Sequence, residues 1–105
     1  MKLKLNKEYN SNINNLKIEH IDLFRENLQL VFQDNSKLQK HEQLKEYFDF
    51  LVCALFDIES SELHKQLKEK TENDFAYTLA YNKIIQQTIK YMDEEMKKDT
   101  VDFLV

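Results

Sequence analysis

Apolar residues recur at helical spacing from about Leu16 onward. Separations of three, four and seven residues place them on one face of an α-helix. The first such set is Leu16, Leu23, Phe24, Leu28, Val31 and Phe32. This pattern predicts a first helix that begins near Leu16, or a shorter one that begins near Leu23 if Asp22 is the N-cap.

A second helix is predicted over about 37–57. Ser36 followed by Gln39 fits a capping box at its start. Within it, the stretch YFDFLVCALF (47–56) has a single polar side chain, that of an aspartate. One face carries an ordinary core stripe, made of Leu44, Tyr47, Phe48, Leu51, Val52, Leu55 and Ile58. Phe50, Cys53 and Phe56 fall on the other side, so this helix needs cover on more than one face.

The remaining helical pattern extends from about 61 to 98. Ser60 or Ser61 can cap a short helix, and TEND (71–74) offers a break with Thr71 or Asn73 as the next cap. Because neither Gly nor Pro enforces a stop, one continuous helix remains an alternative. The last part has a seam formed by Ile85, Ile89, Met92 and Met96. A second apolar face carries Tyr77, Tyr81, Ile84 and Tyr91.

Residues 1–14 lack helical periodicity, which predicts a flexible or contact-ordered N-terminal arm before a single helical domain over 15–105. The chain contains no Gly and no Pro. Since tight hairpin turns favour Gly, antiparallel β structure is improbable. The predicted fold class is therefore all-α, a small bundle of three to four antiparallel helices joined by short Asn, Asp and Ser turns.

Candidate chemistry is sparse. The absence of Gly excludes phosphate-binding loops of the Walker or Rossmann kind. The candidate zinc ligands His20, His41, His64 and Cys53 lack the short paired spacing of a zinc site, and both His41 and His64 are expected on polar helix faces. Cys53 is expected to be a small buried hydrophobe rather than a nucleophile. The sequence thus predicts no metal, no cofactor and no enzymatic activity.

Charge and hydropathy narrow the partners and the location. The net charge is −4, with acidic and basic residues interspersed. The second hypothesis is a nucleic-acid-associated regulator that binds through the lysine-bearing arm and Lys37, Lys40 and Lys45. The acidic net charge disfavours nucleic acid as a partner. The longest apolar run, 50–56, is too short to span a membrane. A single cysteine favours the cytoplasm.

The first hypothesis is a small protein-binding module, such as an adaptor, chaperone, inhibitor or immunity-type factor. Aromatic and Met side chains are enriched in the cores of protein interfaces. The predicted interface residues are Phe50, Phe56, Tyr77, Tyr81, Tyr91, Met92 and Met96. Either the second helix is wrapped by the rest of its own chain, or another chain covers it, with a homodimer as the favoured form.

Overall fold

Four helices and a short two-stranded sheet make up the described part of the chain. The computed structural model describes the backbone of residues 1–33 and 42–99 and the side chains of residues 1–26 and 45–98. The elements in chain order are β1 (Lys2–Lys4), β2 (Glu8–Asn10), a 3-10 turn (Ile13–Asn15), α1 (Ile18–Gln33), α2 (Glu42–Phe56), α3 (Ser60–Lys70) and α4 (Asp74–Asp99). The all-α prediction is confirmed, while the antiparallel arrangement stays a prediction. None of the described helices is both long and apolar enough to cross a membrane.

Helix α1 begins at Ile18, so the alternative start near Leu23 is wrong. The backbone N–H of Lys17 donates to Nδ1 of His20 at 2.9 Å. A side chain in the first turn thus reaches back to the residue before the helix, as Glu or Gln does in a capping box. The predicted Ser36–Gln39 cap lies outside the described residues, and α2 ends at Phe56, one residue before the predicted end.

Two separate helices occupy the segment from 60 to 99, so the single-helix alternative is wrong. Oδ1 of Asn73 accepts from the N–H of Ala76 at 2.8 Å, which makes Asn73 the predicted N-cap of α4. The predicted serine cap of α3 is wrong. Glu59 occupies the N-cap without a side-chain hydrogen bond. Ser60 is already helical, and its hydroxyl donates to Asp49 instead.

The N-terminal arm forms a β-hairpin, contrary to the prediction against antiparallel β structure. Leu3 pairs with Tyr9 at the centre of the register. The strands are joined by the loop 5–7, in which the N–H of Leu5 donates to the carbonyl of Lys7 at 3.0 Å. No residue of this loop has a positive φ. Gly is favoured where positive φ is required, so this three-residue connection forms without it.

The arm packs onto the helices through both apolar and polar contacts. Leu3 and Leu5 are buried in the same hydrophobic cluster as the helices. The amide of Gln66, only 4% exposed, accepts from the N–H of Asn6 and donates to the hydroxyl of Tyr9, each at 3.1 Å. These bonds join the hairpin loop, through Asn6, and strand β2, through Tyr9, to α3. The first ten residues therefore belong to the packed structure.

The core stripe predicted for α2 is confirmed where side chains are described. Its buried members are Phe48, Leu51, Val52, Leu55 and Ile58, with Tyr47 half-buried. On the second face of α2, burial increases along the helix from Phe50 through the half-buried Cys53 to Phe56. Phe56 is 2% exposed, because the chain's own arm and helices enclose that end of α2, where Asn12 donates to the carbonyl of Leu55. Phe50 is left 59% exposed.

The end of α2 is a Schellman motif built without glycine. The N–H of Ile58 donates to the carbonyl of Cys53 at 3.0 Å, and that of Asp57 to Ala54 at 3.3 Å. Asp57, the first residue after the helix, has a φ of 52°, which is the only positive φ among the described residues. The turn delivers Ile58 back into the core, where it is buried. Asp tolerates this left-handed conformation better than most residues, but it still carries a Cβ that Gly lacks.

We expect Asp57→Gly to raise the free energy of unfolding by about 0.5–1 kcal/mol, because relief of the left-handed strain exceeds the added entropy of the unfolded chain. Asp57→Val should lower it by more than 1 kcal/mol, roughly the cost of a β-branched residue at positive φ. Urea denaturation followed by circular dichroism measures both. Equal stability of the two variants would contradict the assignment of this turn.

Candidate functional site

The carboxylate of Asp49, on α2, is the meeting point of three helices. Its Oδ1 accepts hydrogen bonds from Nε2 of His64 on α3 at 2.8 Å and from the hydroxyl of Tyr81 on α4 at 2.5 Å. Its Oδ2 accepts from the hydroxyl of Ser60 at 2.5 Å. We call Asp49, Ser60, His64, Tyr77 and Tyr81 the Asp49 cluster. Three donors from two neighbouring helices converge on one acidic side chain.

His64 extends the cluster to a second tyrosine. Its Nδ1 lies in hydrogen-bond contact with the hydroxyl of Tyr77. With the proton on Nε2 directed to Asp49, Nδ1 is the acceptor and the Tyr77 hydroxyl donates to it. The rings of Tyr77 and Tyr81 are nearly parallel with centroids 6.3 Å apart, and the His64 ring lies 4.8 Å from that of Tyr81. Each polar atom of the imidazole thus has a partner.

The electrostatics of the cluster hold Asp49 ionised and the tyrosines neutral. Burial by itself raises the pKa of Asp49, but hydrogen bonds from Ser60, Tyr81 and His64 outweigh it, so the pKa falls below its usual 3.8. Burial, followed by the charge of Asp49, raises the pKa of Tyr77. The pKa of Tyr81 is raised more strongly, because this side chain is buried more deeply and donates its own hydrogen bond to Asp49. A neutral phenol with a raised pKa is a poor nucleophile. The hydrogen bonds to Asp49 join α2 to α3 and α4.

Cys53 lies one turn after Asp49, with its Sγ 4.0 Å from Oδ2. Burial and the negative charge of Asp49 raise the pKa of the thiol to about 12. Since the thiolate is the reactive form, a thiol with this pKa is expected to react slowly as a nucleophile at neutral pH. Metal binding finds no more support here, because the described residues contain no group of three or more His, Cys, Asp or Glu placed to hold an ion.

Exposed large apolar side chains lie on three of the described helices, and those on α1 are Ile18, 75% exposed, and Leu23. On α4, Phe75 and Leu79 are one turn apart and 73% and 54% exposed. Between α1 and α2, the ring of Phe50 lies 4.9 Å from that of His20. The hydroxyl of Tyr47 donates to the carbonyl of His20 at 2.5 Å, which fixes the two helices against each other beside Phe50.

The predicted interface residues separate into three groups. Phe50 is exposed on the surface. Tyr77, Tyr81, Tyr91 and Met96 are partly buried and packed against the core. Phe56 and Met92 are buried in the hydrophobic core of this chain, with 2% and 1% of their surface exposed. Those two residues therefore offer no surface to a partner.

Of the alternative nucleic-acid site, the structure describes the lysines of the arm, Lys2, Lys4 and Lys7, and Lys45 on α2, all of them exposed. Lys2 pairs with Glu8 at 3.3 Å, and the ammonium of Lys7 lies 5.1 Å from the centroid of the Tyr9 ring. Lys37 and Lys40 lie outside the described residues, as does His41.

Sequence reasoning missed the Asp49 cluster. His64 was expected at an exposed or edge position of a polar helix face, where it does lie half-buried, but its bond to Asp49 was not foreseen. The cluster brings together positions 49, 60, 64, 77 and 81 from three helices, so the spacing of residues within one helix does not predict it. Phe75 and Leu79 were also missed, although their separation of four residues, off the main seam of α4, is a signal that the sequence does contain.

The outward side of α3 carries an open depression beside the Asp49 cluster. It is lined by Ser61, His64, Lys65, Lys68 and Glu69. The ammonium of Lys68 lies 5.6 Å from the centroid of the Tyr77 ring, a cation–π distance. His64 thus belongs both to the cluster and to the wall of this depression.

No family model, curated protein or solved structure matches this chain.

Asp49→Asn should lower the free energy of unfolding at pH 7 by about 1–3 kcal/mol, because the amide nitrogen cannot accept the hydrogen bonds of the carboxylate. The pKa of Asp49 is lower in the folded protein than its usual 3.8, so its contribution is present above that value and is lost as the pH falls through the folded pKa. The difference between the wild type and Asp49→Asn, measured by urea denaturation, should shrink below about pH 3.8.

Glu46→Gln, an exposed change on the same helix, is the matched control and should differ from the wild type by less than about 0.5 kcal/mol at any pH. An Asp49→Asn effect of the same size at pH 3 and pH 7 would show that the carboxylate charge plays no part.

Cys53 should alkylate with iodoacetamide at pH 8 at least about 100-fold more slowly in the folded protein than in urea, because the raised pKa leaves very little thiolate. Mass spectrometry of timed aliquots measures both rates. Labelling of the folded protein at the unfolded rate would contradict the burial of this thiol.

Proposed function

We propose that the chain is a small non-catalytic protein-binding module that acts through an apolar face at the junction of α1 and α2, and that its partner is a second copy of itself. We call this surface the Phe50 face and define it by His20, Leu23 and Phe50. An adaptor, inhibitor, chaperone or immunity-type factor would use such a face to bind its target or to dimerise.

The exposure of Phe50 is the observation that supports the proposal. Phe50 projects from α2 with 59% of its surface in water. Burying a Phe side chain contributes roughly 1.5–3 kcal/mol, which a free monomer forfeits at this position. Aromatic side chains near the centre of an interface carry a large part of the binding energy.

The surroundings of Phe50 support the same reading. His20 holds its ring against Phe50 while its backbone carbonyl is fixed by Tyr47. Leu23, 44% exposed, lies one turn after His20 on the same side of α1. The ring of Phe50 is thus held in place before a partner binds, so it loses little conformational entropy on binding.

We propose a cytoplasmic location, which the single free cysteine supports, because thiols persist in reducing compartments. The nucleic-acid alternative has less support, because its described lysines are divided between the arm and Lys45 on α2, and Lys2 is paired with Glu8.

Light scattering behind size-exclusion chromatography, over a concentration series, tests the proposal. The wild type should have a mass near twice 12.7 kDa, and Phe50→Glu should have a mass near 12.7 kDa, because a buried carboxylate opposes association. Its free energy of unfolding at low concentration should change by less than about 1 kcal/mol, as expected for an exposed position.

Two matched variants locate the interface. Lys45→Glu, on the same helix, should remain dimeric, and so should Phe75→Glu, which places the same substitution on the exposed surface of α4. A monomeric wild type would overturn self-association. A Phe50→Glu protein that stays dimeric while Phe75→Glu dissociates would move the interface to α4.

A further inference from the structure

The outward side of α3 is a second surface with distinct chemistry. The residues that line its depression are spaced as one stripe of a helix, opposite the buried Leu63 and Leu67. We call Ser61, His64, Lys65, Lys68 and Glu69 the α3 outer face. It is polar and basic, whereas the chain as a whole has a net charge of −4.

The two lysines of this face have no carboxylate partner among the described residues. The ion pairs of the described chain involve Lys2, Lys97 and Lys98, together with the His64–Asp49 contact. The ammonium of Lys68 lies over the ring of Tyr77, and the side-chain amide of Asn6 donates to the carboxylate of Glu69 at 3.3 Å. Lys65 and Lys68 lie three positions apart, so their charges lie on one side of the helix.

The shape of the face suits a chain segment better than a small molecule. Pockets for small ligands enclose most of the ligand surface, whereas this depression opens to solvent along one helix. An extended or helical segment can lie across an open stripe and place side chains on both lysines. Phosphate groups are bound most strongly by the planar fork of arginine, and the α3 outer face contains none.

We propose that the α3 outer face is a docking surface for an acidic protein segment, whose carboxylates pair with Lys65 and Lys68. This inference goes beyond the proposed self-association, because it places a different partner on a different surface of the chain. Charge complementarity carries the argument. Lys65 and Lys68 place two positive charges on one side of α3, and complementary charge of this kind steers an acidic segment toward the face.

The probe is a fluorescein-labelled peptide of about 16 residues that alternates turns of Glu and Leu, titrated with the full chain by fluorescence anisotropy. The double variant Lys65→Glu/Lys68→Glu should weaken binding about tenfold or more, since two attractive contacts become repulsive. Binding of the wild type should also weaken as the salt concentration rises from 50 to 300 mM.

The matched control is Lys83→Glu/Lys90→Glu, which reverses two exposed lysines of α4 and the same amount of charge. It should change the affinity by less than about twofold, because the reversed charges lie on α4 and not on the α3 outer face, and salt screens charges that are not in contact. Circular dichroism confirms that both double variants are folded. Equal loss in both would show that only net charge matters and would overturn the proposal.

A single-stranded oligonucleotide of the same length, labelled in the same way, is the competing probe. Affinity for it equal to or higher than that for the peptide would assign the face to nucleic acid and overturn the proposal. The outcome is separable from that of the Phe50 face. A monomeric chain that binds the peptide through Lys65 and Lys68 would reject self-association and retain this docking surface.

Discussion

The relative positions of α2, α3 and α4 depend on one ionised carboxylate. Asp49 accepts from Ser60 and His64 on α3 and from Tyr81 on α4, so removing it leaves donors of two helices without their acceptor. Helix α3 is the element most dependent on these bonds, because it has 11 residues and only two buried apolar side chains. An isolated helix of that length is marginal in water.

A second polar anchor holds α3 from the opposite direction. The buried amide of Gln66 ties it to the hairpin, whereas Asp49 ties it to the neighbouring helices. Within the described side chains no buried nitrogen or oxygen lacks a partner. The polar groups inside the molecule are thus committed to its architecture. The two surfaces that we propose for recognition lie outside this polar framework, at Phe50 beside the α1–α2 junction and at the lysines of the α3 outer face.

The sequence predicts those parts of the fold that depend on local periodicity. The buried stripe of α2 and the seam of α4 follow from helical spacing, and Asn73 was identified as a cap from its residue type. The hairpin was missed because the absence of Gly bears on tight turns, and its loop needs no positive φ. The burial of Phe56 and the Asp49 cluster depend on which segments meet in space, and one-dimensional spacing carries no information about that.

Docking of the hairpin also sets the order in which the protein can fold. Its contacts join positions that are far apart in the chain: Asn6 bonds to Gln66, 60 residues away, and the hydroxyl of Thr88 lies 4.0 Å from Sδ of Met1, 87 residues away. Such contacts cannot form until both of their ends have been synthesised, and closing the long loop between them costs conformational entropy. During synthesis the first ten residues must therefore wait for most of the chain to be made, and until then Leu3 and Leu5 remain exposed to chaperones and proteases.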